Sequence, residues 1–266
     1  MPFVTHEKND LVYFTSSLLE GVPHGFSTRR GGVSPAPWDS LNLGPGRGDG
    51  MDAVVENSRR FCAAIGADAE NLVLSAQVHE TTVRAVGRGD AGKGLFRERD
   101  YTADALITCE KGLSLEVFSA DCGNILLWDS ATGAVGAIHA GWRGCAGGIV
   151  AKAVAEMERL YGVDSGDLRA AIWPCIGVCC FETDSDVPSA MLDALGGDAA
   201  AYLIRRGEKW LVDLAGLNEL WLLCAGLLPQ HIDRSGLCTA CHPELFWSHR
   251  KMGSRRGLQA AVITCI

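Results

Sequence analysis

The sequence predicts an α+β fold with mixed β-sheets, and three observations carry that prediction. Short apolar runs of strand length fall in neighbouring groups, at residues 72–78, 105–108, 114–118, 125–128 and 134–138. Stretches with a helical apolar period break these groups at only a few places. Strict βαβ alternation, the mark of a doubly wound parallel sheet, is missing.

Taken in order, the elements are these. Residues 30–50, from Arg30-Gly31-Gly32-Val33-Ser34-Pro35-Ala36-Pro37 through Asn42-Leu43-Gly44-Pro45-Gly46-Arg47-Gly48-Asp49-Gly50, read as one extended loop. Loops of that length inside a compact domain are usually functional. Val54, Ser58, Phe61, Cys62 and Ile65 then share one helical face, with Asp49 or Asp52 as the capping residue and Gly66 as the stop. The strand 72–78 follows, then a polar, glycine-rich break over 87–100, then the four remaining strands of the group. Ile149, Val150, Ala153, Val154, Met157, Leu160 and Tyr161 form a helical stripe ending at Gly162. A strand at 168–173, a late helix marked by Leu214, Leu217, Trp221, Cys224 and Leu228, and a closing strand at 260–266 complete the reading. Neither glycine-rich break resembles a linker, and no repeat of 20–50 residues is visible, so residues 1–266 read as a single domain.

Composition excludes several classes. A chain of 266 residues buries enough surface to fold without disulfides or a structural metal, and 47% hydrophobic with 21% charged residues is ordinary for a globular protein. The net charge of −8 argues against general nucleic-acid or anionic-membrane surfaces, which need clustered Lys and Arg. The N-terminus shows neither a basic n-region nor an unbroken apolar core, and no run of 18 apolar residues occurs. The expected location is the cytoplasm. The odd count of 11 cysteines fits reduced cytosolic thiols better than a disulfide framework.

Three side chains at strand ends carry the first chemical signal. His79 follows 72–78, Cys122 lies in Ser119-Ala120-Asp121-Cys122-Gly123, and His139 follows 134–138. Two imidazoles and a thiolate suit zinc or copper, and a three-ligand set leaves the fourth tetrahedral position open, as catalytic zinc requires. A core cysteine with two satisfied histidines is the competing reading. The segment His139-Ala140-Gly141-Trp142-Arg143-Gly144-Cys145-Ala146-Gly147-Gly148 joins strand to helix through glycines. It is either an anion-binding turn with Arg143 as its charged fork or a tight turn with an exposed arginine. Cys238-Thr239-Ala240-Cys241-His242 matches c-type haem attachment by letters. Without an export signal the favoured reading is reduced thiols in a turn leading to a strand near Phe246-Trp247. A zinc ribbon lacks a second Cys-x-x-Cys pair, although Cys179-Cys180 could contribute, and Cys175, Cys179 and Cys180 otherwise read as lining or packing residues.

A wider set of motifs runs through the chain in order. It comprises residues 24–34 (HGFSTRRGGVS), Leu41-Asn42-Leu43-Gly44, Gln77-Val78-His79, Ala103-Asp104-Ala105-Leu106, Ala120-Asp121-Cys122 and His139-Ala140-Gly141-Trp142-Arg143-Gly144. It continues with Pro174-Cys175-Ile176-Gly177, Cys179-Cys180-Phe181-Glu182, Cys238-Thr239 and Phe246-Trp247-Ser248-His249-Arg250. From about residue 21 to the end, the chain resembles the YfiH-type laccase-domain family. That family is described variously as polyphenol oxidases, peptidoglycan-editing factors and purine nucleoside phosphorylases with adenosine deaminase activity.

The resemblance implies a layered α+β sandwich shared with the cytotoxic necrotizing factor toxins and a metal site formed by His79, Cys122 and His139. It also implies phosphorolysis of adenosine, inosine or methylthioadenosine to the free base and ribose 1-phosphate, with adenosine deamination. Departures from the family pattern are Trp173, Gly123-Asn124, Val178 and Leu258, the last where arginine is usual. The expected catalytic residues are Cys122, His139 and Asp121. Asp121 is the nearest carboxylate for moving a proton, and a turn-forming aspartate is its other reading. Arg143, Arg29 and Asn42 are the expected substrate or phosphate contacts, with Arg30 a further cation able to close over the site. The cofactor is zinc, with copper the competitor. The partners are a purine nucleoside and phosphate.

Two alternatives use the same residues. In a metal-free hydrolase Cys122 is the nucleophile and His139 its base, which leaves His79 a bystander. A copper phenol oxidase ranks last, because the chain has only seven histidines and no His-x-His pair. A non-enzymatic binding module is the remaining class.

Overall fold

The computed structural model describes residues 3–266. It opens on three strands that the sequence reading misses: β1 (Phe3–Lys8), β2 (Leu11–Ser16) and β3 (His24–Ser27). Asn9 and Asp10 connect β1 to β2, both at positive φ, as a two-residue hairpin turn demands. That dipeptide was the available signal. Helix α1 (Met51–Ile65) starts from Gly50, with neither Asp49 nor Asp52 capping it. The Asp49 carboxylate instead accepts from Ser34 Oγ and Asn42 Nδ2. Gly66, at φ 79°, closes the helix as expected.

Strands β4 (Leu72–Leu74), β5 (Val83–Ala85), β6 (Ala105–Thr108), β7 (Ser114–Ser119), β8 (Gly123–Trp128) and β9 (Val135–Ala140) follow. Then come α2 (Trp142–Ala146), α3 (Ile149–Tyr161), β10 (Arg169–Ile172) and β11 (Glu182–Thr183). The last part holds α4 (Asp186–Leu195), β12 (Leu203–Arg206), β13 (Lys209–Val212), α5 (Leu214–Cys224), β14 (Ile232–Arg234), α6 (His249–Met252) and β15 (Gln259–Thr264). The late helix stops before Leu228, where Gly226 takes φ 101°. Phe246 and Trp247 are not a strand; both are fully buried in the core.

Two six-stranded mixed sheets stack face to face, in the orders β1-β2-β3-β15-β7-β4 and β14-β10-β8-β9-β6-β5. Between them lies the central core, built on Phe26, Leu106, Val117, Leu126, Trp173 and Phe246. Helix α1 covers the outer face of the first sheet through Phe61 and Cys62. Helices α3 and α5 cover the second through residues such as Val150, Val154, Met157 and Leu222. The result is the layered α+β sandwich. A small sheet, β11-β13-β12, packs with α4 and α5 beside these layers. Among the described residues no helix is long and apolar enough to cross a membrane.

Candidate metal centre

Sheet register assembles the three expected ligands. Antiparallel pairing of β8 with β9 sets Gly123 opposite Ala140 and Asn124 opposite His139, so Cys122 and Gly141 meet at the same sheet end. A side chain at Gly141 would put its Cβ 2.9 Å from Cys122 Sγ and 3.3 Å from His79 Cδ2, so glycine is required there. The ligand atoms of His79, Cys122 and His139 lie within 4.8 Å of one another, and the two imidazoles meet edge to face at 4.9 Å.

Asp104, just before β6, organises the group. Its fully buried carboxylate accepts from the backbone N–H groups of Val78, His79 and Glu80 at 3.0–3.1 Å and from His139 Nδ1 at 2.8 Å. β4 ends at Leu74, beyond which Ala76 makes only an isolated bridge to Thr102, and of the expected strand 72–78 only Val78 belongs to these three carboxylate-bound amides. They also hold His79 in the left-handed region at φ 64°, a conformation non-glycine residues rarely adopt. Fixing Nδ1–H of His139 turns its Nε2 toward the cluster, the arrangement that orients imidazole ligands on metals. Burial would raise the Cys122 thiol, but His139 and His79 draw it down to about 6. Burial would likewise lower His139, yet the thiolate and Asp104 lift it to about 9. The donor set, the oriented imidazole and the glycine clearance fit a divalent ion with an open position. Asp104 lay inside a motif visible in the sequence, but its role appears only when β6 and β9 are paired.

Beside the ligands opens a cavity of about 320 Å³. Trp142, Ile176, Phe181 and Leu214 supply apolar wall, and Arg47, Arg250, Arg256 and His249 supply polar groups. A cleft of about 400 Å³ near His6 and His24 is larger, but it lacks the thiol and the paired imidazoles, so the chemistry belongs to the smaller cavity. Arg256 Nε is buried without a hydrogen-bond partner among the described residues. Burial and the adjacent charge of Arg47 both lower the Arg256 pKa, an imbalance an anion would relieve.

The expected substrate contacts lie elsewhere. Arg143 is exposed and stacks on Trp142 with its guanidinium 4.2 Å from the ring. Successive helical residues point about 100° apart, so with Trp142 facing the cavity Arg143 turns outward. Arg29 donates to the carbonyls of Asp39 and Pro243, pairs with the Asp39 carboxylate and lies 4.0 Å over the Trp247 ring. Arg30 is exposed beside it. Asn42 is fully buried and holds Gly44 and Leu258 by their backbones. Leu258 itself packs in the core beneath α1. The carboxylate of Asp121 accepts from Thr239 Oγ1 at 2.6 Å, Ser248 Oγ at 3.1 Å and the Arg250 N–H at 2.7 Å. It borders the cavity as a clasp on the α6 segment.

Comparison with known proteins agrees with this fold. The family model described as multi-copper polyphenol oxidoreductase laccase matches residues 23–266. A protein of Bacteroides thetaiotaomicron named purine nucleoside phosphorylase is 33% identical over 96% of this chain and 95% of its own. The crystal structure of the Bacillus licheniformis protein YfiH superposes with a TM-score of 0.93 at 30% identity, covering 100% of this chain and 99% of that one. That of YlmD from Geobacillus stearothermophilus gives 0.91 at 33%, covering 98% and 97%.

Proposed function

The chain belongs to the multi-copper polyphenol oxidoreductase laccase family, and on that footing we propose that it is a purine nucleoside phosphorylase with adenosine deaminase activity that uses zinc. One observation carries the reading: an apolar wall able to hold a purine, three arginines able to hold phosphate and the His79–Cys122–His139 cluster share a single cavity.

The base packs against Trp142, Ile176, Phe181 and Leu214. Arg47, Arg250 and Arg256 bind phosphate and aim one of its oxygens at the ribose anomeric carbon. The new C1′–O bond forms as the C1′–N9 bond breaks, giving ribose 1-phosphate and the free purine. His249 donates Nδ1–H to the Gly253 carbonyl, which leaves Nε2 to exchange a proton at the purine ring. In deamination, water adds at purine C6 and ammonia departs. Zinc held by His79, Cys122 and His139 would supply Lewis acidity beside the substrate. Copper at the same ligands is the competitor. Asp121 acts by positioning Ser248 and Arg250.

Arg256→Ala removes one charge-assisted contact worth about 1.5–3 kcal/mol, so phosphorolysis should fall about 10–150-fold. Arg143→Ala should change it less than about threefold, since an exposed side chain away from the cavity has little to lose. Assay of both activities across phosphate concentrations decides. Equal losses in the two variants would remove phosphate from the Arg47–Arg250–Arg256 face.

A second reading has its own observation: Cys122, His139 and Asp104 stand in the order of a nucleophile, base and orienting carboxylate. His79 separates the two. His79→Ala abolishes turnover together with metal content in the zinc reading and leaves hydrolysis standing in the metal-free one.

A further inference from the structure

Two turns far apart in the chain meet beside the cavity. The first follows Pro174, where the N–H groups of Cys180 and Phe181 both donate to the Gly177 carbonyl at 2.9 Å. The second is Cys238-Thr239-Ala240-Cys241, closed by the Cys241 and His242 N–H groups on the Cys238 carbonyl. A backbone bridge between Cys175 and Cys238 and a hydrogen bond from Thr239 N–H to the Cys175 carbonyl lock the turns together. The sulfurs of Cys179, Cys180, Cys238 and Cys241 thereby converge within 4.8 Å of one another.

We propose that Cys179, Cys180, Cys238 and Cys241 form a second, structural metal site that holds one zinc ion by four thiolates.

The spacing fits the ion. With zinc–sulfur bonds of about 2.3 Å, a tetrahedron of sulfurs has edges of about 3.8 Å. Cys241 Sγ lies 3.6 Å from Cys179 Sγ and 3.5 Å from Cys180 Sγ. A disulfide requires sulfurs about 2.05 Å apart and would leave two thiols of the group unused. Sulfurs this close leave room for one ion rather than a multi-iron cluster. The Gly177 N–H donates to Cys238 Sγ at 3.2 Å, a contact that favours the thiolate. Gly177 also clears the space, because a Cβ there would approach Cys238 Cβ to 3.1 Å and Cys179 Sγ to 3.4 Å. The ligands are two adjacent cysteines and one Cys-x-x-Cys turn, and four protein ligands close the tetrahedron, as structural sites do. Each thiol gives up its proton to water on binding.

The ion would brace the cavity wall. Ile176 and Phe181 line the cavity from the first turn, and the Cys180 and Glu182 carbonyls accept from Arg250 at 3.0 Å. Thr239, between two of the ligands, donates to Asp121, next to Cys122. Loss of the ion should therefore weaken substrate binding without touching the first cluster.

The test uses the full chain, purified under reducing conditions, loaded with Co(II) alone and with Zn(II) alone. The wild-type chain should take up about two equivalents, and Cys241→Ser about one. Cys122→Ala should keep one zinc equivalent and show the intense thiolate-to-cobalt charge-transfer and visible bands of a four-sulfur tetrahedral site. Cys241→Ser should lose those bands. Because Cys122→Ala leaves all four thiols in place, the test stands even where Cys241→Ser fails to fold. Absence of the four-sulfur spectrum in reduced Cys122→Ala would overturn the proposal. So would iron in place of zinc on elemental analysis of that variant as isolated, or a Cys241 disulfide that binds no metal after reduction.

Discussion

The loop of residues 28–50 and the cavity beside Cys122 are both rich in polar side chains, yet they use them in opposite ways. In the loop, Asn42 makes every hydrogen bond its amide can make: Nδ2 to Asp49 and the Gly44 carbonyl, Oδ1 from the Gly44 and Leu258 N–H groups. Asn57 is similarly engaged with Ser34, Val33 and the carbonyls of Ser40 and Asn42. At the cavity, Arg256 Nε is buried without a partner among the described residues, and His139 turns its second ring nitrogen toward the Cys122 sulfur. A polar group already satisfied by its own chain fixes structure. One that folding leaves unsatisfied can recognise a ligand. This difference explains why the motif-rich loop, apart from Arg47 at the cavity, supplies shape while the chemistry sits on groups with unused capacity.

The comparison can be broken in three ways. The largest effect is expected at Asp104, which belongs to both kinds, since it satisfies three amides and also aims a ligand. Asp104→Asn turns an amide NH₂ toward N–H donors, and metal affinity should drop about 10–100-fold. Titration with a competing chelator measures it. Unchanged affinity would mean that His139 needs no orienting partner.

Next comes Asn42→Ala, which strands the Gly44 and Leu258 N–H groups in the core. Stability should fall by about 1–3 kcal/mol by urea unfolding, while kcat/KM of the remaining folded enzyme stays within about threefold. A large kcat/KM loss at full stability would move Asn42 into the substrate site.

The last test concerns Glu116, which resembles the cavity groups in lacking partners among the described residues but lines neither of the two cavities described above. It is 1% exposed on β7, and neither carboxylate oxygen has a hydrogen-bond partner. Burial lifts its pKa from the ordinary 4.5 to about 8. Between those values the folded chain holds a proton that the unfolded chain has released. Stability therefore declines as pH rises through that window and levels off above it, with a slope of at most about 1.4 kcal/mol per pH unit. Glu116→Gln should flatten the decline in urea midpoints measured from about pH 5 to 9. An equal slope in the variant would place the dependence on other groups.

Much was legible in the sequence by itself. Apolar period and glycine stops located α1 and α3 almost to the residue, since both signals act within a few positions along the chain. The strands β6 to β9 were equally plain, being short apolar runs buried on both faces. Residue type at strand ends singled out His79, Cys122 and His139, the three that the structure gathers into one group. The failures share one cause. Arg143 was expected at the phosphate because it stands four residues from His139, but direction on a short helix turns it outward, while Arg256, which the sequence reading passed over, lines the cavity. Asp104 could be assigned only through the pairing of β6 with β9, and the grouping of Cys179 and Cys180 with Cys238 and Cys241, weighed in the sequence but set aside, comes from a bridge across some sixty residues. Local periodicity and capping are written in neighbouring residues, whereas the direction of a side chain and its remaining hydrogen-bonding capacity are set by whatever distant segment packs against it. The sequence alone located several of the elements and singled out the three residues of the first cluster; only the tertiary structure decided which polar groups were left free to act.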